Sequence, residues 1–77
     1  MTITAATAPK SNRIPRRFDR ITVTMRTETS HDKPGDVLHV YKNNSGYLAL
    51  NTRTGIYAYM FAAMLRNAEI CTITNIE

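Results

Sequence analysis

From residue 21 to residue 60 the chain alternates apolar and polar positions, and beyond residue 60 the spacing lengthens. In ITVTM (21–25), Ile21, Val23 and Met25 share one side of a strand, and Thr22 and Thr24 share the other. RTETSHDKPG (26–35) is polar and reads as a long loop ending in a Pro34-Gly35 turn, where proline presets φ and glycine takes the positive-φ position. VLHVYK (37–42) follows, with Leu38 and Val40 on one face and Val37, His39 and Tyr41 on the other. Asn43-Asn44-Ser45-Gly46 is a hairpin signal. YLALN (47–51) puts Leu48 and Leu50 on one face, Asn51 to Gly55 forms a second tight connection, and IYAYM (56–60) is the fourth strand. Phe61, Met64 and Leu65 are then spaced i, i+3, i+4 among good helix formers. This predicts one or two helical turns ending near Asn67; the sequence also permits a start as early as Tyr57. EICTITNI (69–76) is β-branched and reads as a closing strand. The expected core is Leu38, Val40, Leu48 and Ile56 with Val23 and Leu65.

Short strands joined by tight turns, with one helical turn before the last, predict a mostly β protein. A five-stranded barrel is the expected architecture, because closure hides strand edges that invite aggregation. With 77 residues the chain holds one domain. Its first twenty residues differ from the rest. They carry Lys10, Arg13, Arg16, Arg17 and Arg20 against the single acid Asp19, whereas the basic and acidic residues of the remainder cancel. The formal charge of +4 therefore resides on this segment. It has few large apolar side chains to offset its ordering entropy, so residues 1–20 are expected to form a flexible basic arm, dispensable for folding, and residues 21–77 the barrel domain.

A core of this size is marginal, since small domains bury only about 60% of their unfolded surface. Cys71 is the only cysteine, so no disulfide staples the fold, and Cys71 is expected to be a small buried hydrophobe. With His31 and His39 it does not make a ligand set of structural-zinc spacing, and no metal or other cofactor is expected. An unpaired cysteine, the lack of any apolar run near ~18 residues, and a start (MTITAATAP) unlike a signal peptide all favour the cytoplasm over a membrane. No nucleophile elbow or phosphate-cradling glycine loop occurs, and His39 has no partner placed by sequence, so a non-enzymatic role is expected.

The order of elements over residues 21–76 resembles the Src-homology-3-like barrel. Lys33-Pro34-Gly35-Asp36-Val37-Leu38 is similar to the family's diverging turn and the strand after it, and Gly55-Ile56-Tyr57 is similar to its distal strand. The chain is similar in the same way to small barrels of this superfamily encoded by phages and bacteria. The eukaryotic signalling domains grip proline-rich peptides with an aromatic, acidic loop start and a tryptophan. Here that loop is MRTETSHD, the chain has no tryptophan, and Ala58 replaces the usual proline. Tyr47 lies at or next to the tryptophan position and Phe61 near the groove tyrosine. Polyproline recognition, which needs stacked aromatic ridges, is therefore not expected.

The resemblance implies a binding module: a small phage or bacterial accessory or inhibitor protein docking on a host protein of nucleic-acid metabolism or defence. Its expected contact residues are Tyr47, Tyr57, Tyr59 and Phe61, because aromatics dominate interface energies. The alternative is direct nucleic-acid binding, with Lys10, Arg13, Arg16, Arg17 and Arg20 on phosphates and Phe18 and the tyrosines stacking on bases. A homodimer is the expected assembly if the spare apolar surface is covered by a second copy.

Overall fold

The computed structural model describes residues 11–44 and 46–77. They form β1 (Ile21–Met25), β2 (Val37–Asn43), β3 (Gly46–Asn51), β4 (Tyr57–Met60), α1 (Ala62–Arg66) and β5 (Cys71–Ile76). All strand pairs are antiparallel, and the five strands make one sheet in the order β4-β3-β2-β1-β5. The meander runs from β1 to β4, and α1 carries the chain back to the far side of β1. The sheet is open: β4 and β5 are its two edges. The described residues are thus mostly β with one short helix. No helix among the described residues is long and apolar enough to cross a membrane.

Local chemistry sets the connections. Lys33-Pro34-Gly35-Asp36 closes with a hydrogen bond from the Asp36 amide to the Lys33 carbonyl, and Gly35 takes φ +92°, which only glycine adopts cheaply. The β3–β4 hairpin turns at Gly55, φ +75°, whose amide donates to the Asn51 carbonyl. The helix begins only after Phe61, which is extended at φ −77°, ψ 150°, so Tyr57 to Met60 stay in the sheet. Asn67 ends it, donating its amide to the Met64 carbonyl. A bulge opposite Thr22 and Val23 places Thr74 outside the β1–β5 pairing, and its hydroxyl donates to the Thr22 carbonyl.

One face of the sheet builds the core. Ile21, Val23 and Met25 of β1, Leu38 and Val40 of β2, Ala49 of β3, Met60 of β4, Leu65 of α1 and Cys71 of β5 are buried together. Four of the six expected core residues, Val23, Leu38, Val40 and Leu65, are among them, and Cys71 is a buried small hydrophobe as expected. Leu48 and Ile56 are not. The register pairs Val40 with Ala49 and Leu38 with Asn51, which turns Leu48 to the outer face opposite Tyr41 and Tyr59. Ile56, just before β4, is 54% exposed. The period of a strand is two, so a one-residue error of phase moves the whole apolar set to the other face. The apolar pattern of YLALN hides this because the residue that points inward beside Ala49 is polar Asn51, buried at 2% exposure.

The packing also differs from a free arm through residue 20. The Asn12 amide group donates to the carbonyls of Leu65 and Cys71, both at 2.9 Å, and its backbone N–H donates to the Arg66 carbonyl. Ile14 and Phe18 pack against the core. Asp19 and Arg20 exchange backbone hydrogen bonds with Glu77, extending the β1–β5 pairing. What the composition missed is that one asparagine and two apolar side chains are enough to dock the segment onto carbonyls at the end of α1 and the start of β5. Residues 1–10 lie outside the described residues.

Two stability outcomes follow from this packing. Leu38→Ala and Leu65→Ala each cost about 2–5 kcal/mol, as buried leucines do, and Leu48→Ala costs clearly less; urea denaturation ranks them. Asn12→Ala lowers stability by roughly 1–3 kcal/mol because two carbonyls lose their donor. An unchanged midpoint for Asn12→Ala would show that the segment does not support the fold.

Candidate binding surface

Alternation along β4 sends Tyr57 and Tyr59 to the outer face of the sheet, opposite Leu50 and Leu48. They are 56% and 73% exposed, and Phe61, at the corner where strand becomes helix, is 72% exposed. Tyr47 is half-buried, and its ring stacks on Phe18 with centroids 6.1 Å apart. Together Gly46, Tyr47, Tyr59, Met60 and Phe61 line a cleft of about 280 Å³. Three of the four expected contact residues, Tyr47, Tyr59 and Phe61, are therefore brought around one hollow, with Tyr47 as its fixed wall. Tyr57 stands outside this cleft, on the same outer face as Tyr59.

A second cleft of about 240 Å³ lies on the core-facing side of β4 and shares Tyr59, Met60 and Phe61 with the first. Loop residues Thr29 to Asp32 form its rim, and Leu38, Ala49, Ala58, Met60 and Met64 lie beneath. The cause is visible in the sequence of the sheet: Ala49 and Ala58 are cross-strand partners, and two methyl groups leave a hollow where larger side chains would close it.

The loop is held over that hollow by a polar knot. The Asp36 side chain, almost fully buried, accepts from Arg53 Nε at 2.6 Å and a second Arg53 nitrogen at 2.9 Å, from Asn51 Nδ2 at 2.8 Å and from the Lys33 amide at 2.9 Å. Asn51 Nδ2 also donates to Asp32 at 2.8 Å, and its carbonyl oxygen accepts from the Arg53 amide. Thr29 Oγ1 donates to Asp32 and accepts from the Asp32 amide, closing the loop on itself. The bonds from Arg53, Asn51 and the Lys33 amide hold the Asp36 carboxyl well below the ordinary carboxylate range, against the opposing effect of its burial. Asp32, Asp36, Asn51 and Arg53 had no place among the expected site residues. The available signal was a charge pair, Asp36 and Arg53, standing in two turns that the alternation itself brings to neighbouring strand ends.

The basic residues divide. Arg13, Arg16 and Arg17 are exposed. Arg20 is half-buried and paired with Glu77, which raises the pKa of its guanidinium. Lys10 lies outside the described residues. Phe18 is committed to Tyr47 and the core rather than free to stack on a base. Arg13 and Arg66 line a wide hollow with Ser11, Asn12, Ile14, Pro15 and Ile76. His39 sits half-buried on the outer face of β2, and Cys71, whose thiol is pushed up by burial, contacts the Met64 and Leu65 carbonyls.

No protein-family model, curated protein or solved structure matches the chain.

The knot makes stability depend on acid. The folded pKa of Asp36 lies below its unfolded value of about 3.9, so its contribution is fully present above about pH 4 and is lost as pH falls toward the folded value. The Tm is expected to fall below about pH 4, and Asp36→Asn flattens that decline while lowering the Tm at neutral pH. Parallel acid limbs for the two proteins would show that another carboxylate is responsible.

Proposed function

We propose that the protein is a non-enzymatic binding module whose contact surface is the cleft formed by Tyr47, Tyr59 and Phe61. One observation carries this: two aromatic side chains more than two-thirds exposed stand beside a third that is anchored by stacking, around a hollow lined with little but apolar surface. Exposed aromatics beside a preformed pocket are the usual composition of an interface hot spot. Tyr57 extends the surface along the outer face of β4.

In the finer form of this reading, the open sheet is a small Src-homology-3-like barrel. The support is its strand order, β4-β3-β2-β1-β5, with a helical turn between β4 and β5 and the Lys33–Leu38 turn leading into β2. A phage or bacterial accessory or inhibitor protein acting in the cytoplasm on a host protein of nucleic-acid metabolism or defence is the role that fits such a module. Direct nucleic-acid binding is the second reading, favoured by the exposure of Arg13, Arg16 and Arg17 on one short segment. It loses Arg20 to Glu77 and Phe18 to the core.

The two readings separate on variants of a partner-binding assay, with the immobilised chain used to isolate a partner from bacterial lysate and single-stranded DNA as the competing ligand. Under protein docking, Tyr59→Ala and Phe61→Ala weaken binding by about 1–3 kcal/mol. As surface changes they leave the folding free energy within about 0.5 kcal/mol of the parent. Replacing Arg13, Arg16 and Arg17 then alters mainly the association rate. Under nucleic-acid binding the order reverses, and the salt dependence becomes shallower with each arginine removed. Full retention of the partner by both aromatic variants would overturn the docking surface.

A further inference from the structure

The β4 edge of the sheet has a hydrogen-bonding pattern of its own. The Asn51 amide donates to the Ile56 carbonyl, so this pair belongs to the hydrogen-bonded set of the β3–β4 ladder. Successive pairs alternate, which makes Ala49–Ala58 and Tyr47–Met60 the other bonded pairs and Leu48–Tyr59 and Leu50–Tyr57 the non-bonded ones. The amides and carbonyls of Tyr57 and Tyr59 consequently point away from β3. Outside the strand ladders, neither residue makes a backbone hydrogen bond to any other described residue. An edge like this is normally guarded by lysine, proline or a bulge. Strand β4 is Tyr-Ala-Tyr-Met, uncharged, and residues 56–61 hold four of the six large apolar side chains exposed among the described residues, Ile56, Tyr57, Tyr59 and Phe61.

We propose that β4 pairs with β4 of a second copy of this chain, antiparallel and two-fold symmetric about Ala58. The spacing of the free groups fits this occupant. With Ala58 opposite Ala58 of the second copy, Tyr57 faces Tyr59 of the second copy and Tyr59 faces its Tyr57. Each of these pairs exchanges two N–H···O=C bonds, so every free backbone group of the two tyrosines is satisfied by an identical strand. The rings form cross-strand aromatic pairs on one face, which stabilise antiparallel strands. Exposed Ile56 is brought beside Met60 of the second copy on the other face. No charged residue lies on either strand, so like charges do not oppose the pairing. The edge at the other end of the sheet is different: β5 is Cys-Thr-Ile-Thr-Asn-Ile, without an aromatic residue, and a bulge at Thr74 interrupts its regular pattern. The proposal goes beyond the docking reading, and its test needs no partner.

Sedimentation of the full chain is expected to show a dimer at high micromolar concentration that dissociates on dilution. Tyr57→Lys and Tyr59→Lys, each placing a charge on the symmetric seam twice over, are expected to weaken dimerisation about tenfold or more while the strand circular dichroism is unchanged. Ala58→Cys gives an arm that does not depend on those variants folding. Ala58 faces its own copy in a non-hydrogen-bonded pair, where Cα atoms lie about 4.5 Å apart, within disulfide reach. Mild oxidation is expected to yield a covalent dimer of Ala58→Cys and little from a control cysteine at Thr74 on the far edge. A wild-type chain that stays monomeric, lysine variants that fold and still dimerise, or an Ala58→Cys protein that cross-links no better than the Thr74→Cys control would each overturn the proposal.

Discussion

Asp36 ties three parts of the chain at one carboxylate: the loop through the Lys33 amide, the end of β3 through Asn51, and the β3–β4 connection through Arg53. A buried carboxylate without partners is costly, and this one is supplied with donors on both oxygens. The requirement works backwards onto the sheet. Asn51 can reach Asp36 only if it points to the core side of β3, where its carbonyl oxygen also receives the Arg53 amide. Since side chains alternate, Ala49 and Tyr47 must then point the same way, and Leu48 and Leu50 the other. The exposed part of Arg53 lies at the rim, so the pair is wet on one side and the carboxylate is the member that burial constrains.

That phase is what gives the molecule its surface. With Leu48 and Leu50 outside, the outer face of β2, β3 and β4 carries Tyr41, Leu48, Tyr59, His39, Leu50 and Tyr57 in adjoining rows. With Ala49 inside, facing Ala58, the core is thin beneath β4 and a hollow remains under the loop. Both clefts meet at Tyr59, Met60 and Phe61. Had β3 taken the opposite phase, its leucines would fill the hollow and the aromatic rows would be broken by Ala49 and Asn51. The polar knot, whose Asn51 and Arg53 lie between Tyr47 and Tyr59 in the chain, is thus a condition for the cleft.

The elements were legible because local signals agree: ITVTM alternates cleanly, Pro34-Gly35 can form only a narrow set of turns, and the spacing of Phe61, Met64 and Leu65 changes period at the observed place. The phase of β3 was not, because Leu-Ala-Leu is a stronger apolar signal than Ala-x-Asn, and only a tertiary partner makes Asn51 an inward residue. The docking of residues 11–20 was hidden for a related reason. The segment's composition is basic and sparse, and its attachment depends on Asn12 meeting carbonyls of Leu65 in α1 and Cys71 in β5, more than fifty residues away in sequence. At the candidate surface, Tyr47, Tyr59 and Phe61 line one cleft, whereas Tyr57, on the same face as Tyr59, stands two residues further along β4 and outside it.

That a buried carboxylate sets the phase of β3, and with it the aromatic surface, is tested most directly by side-chain proton contacts across the sheet in solution. The Leu48 methyl groups should show contacts to the rings of Tyr41 and Tyr59, and the Ala49 methyl group to Val40 and Ala58. Contacts from Leu48 to Leu38, Val40 and Leu65, with Ala49 facing solvent, would contradict it.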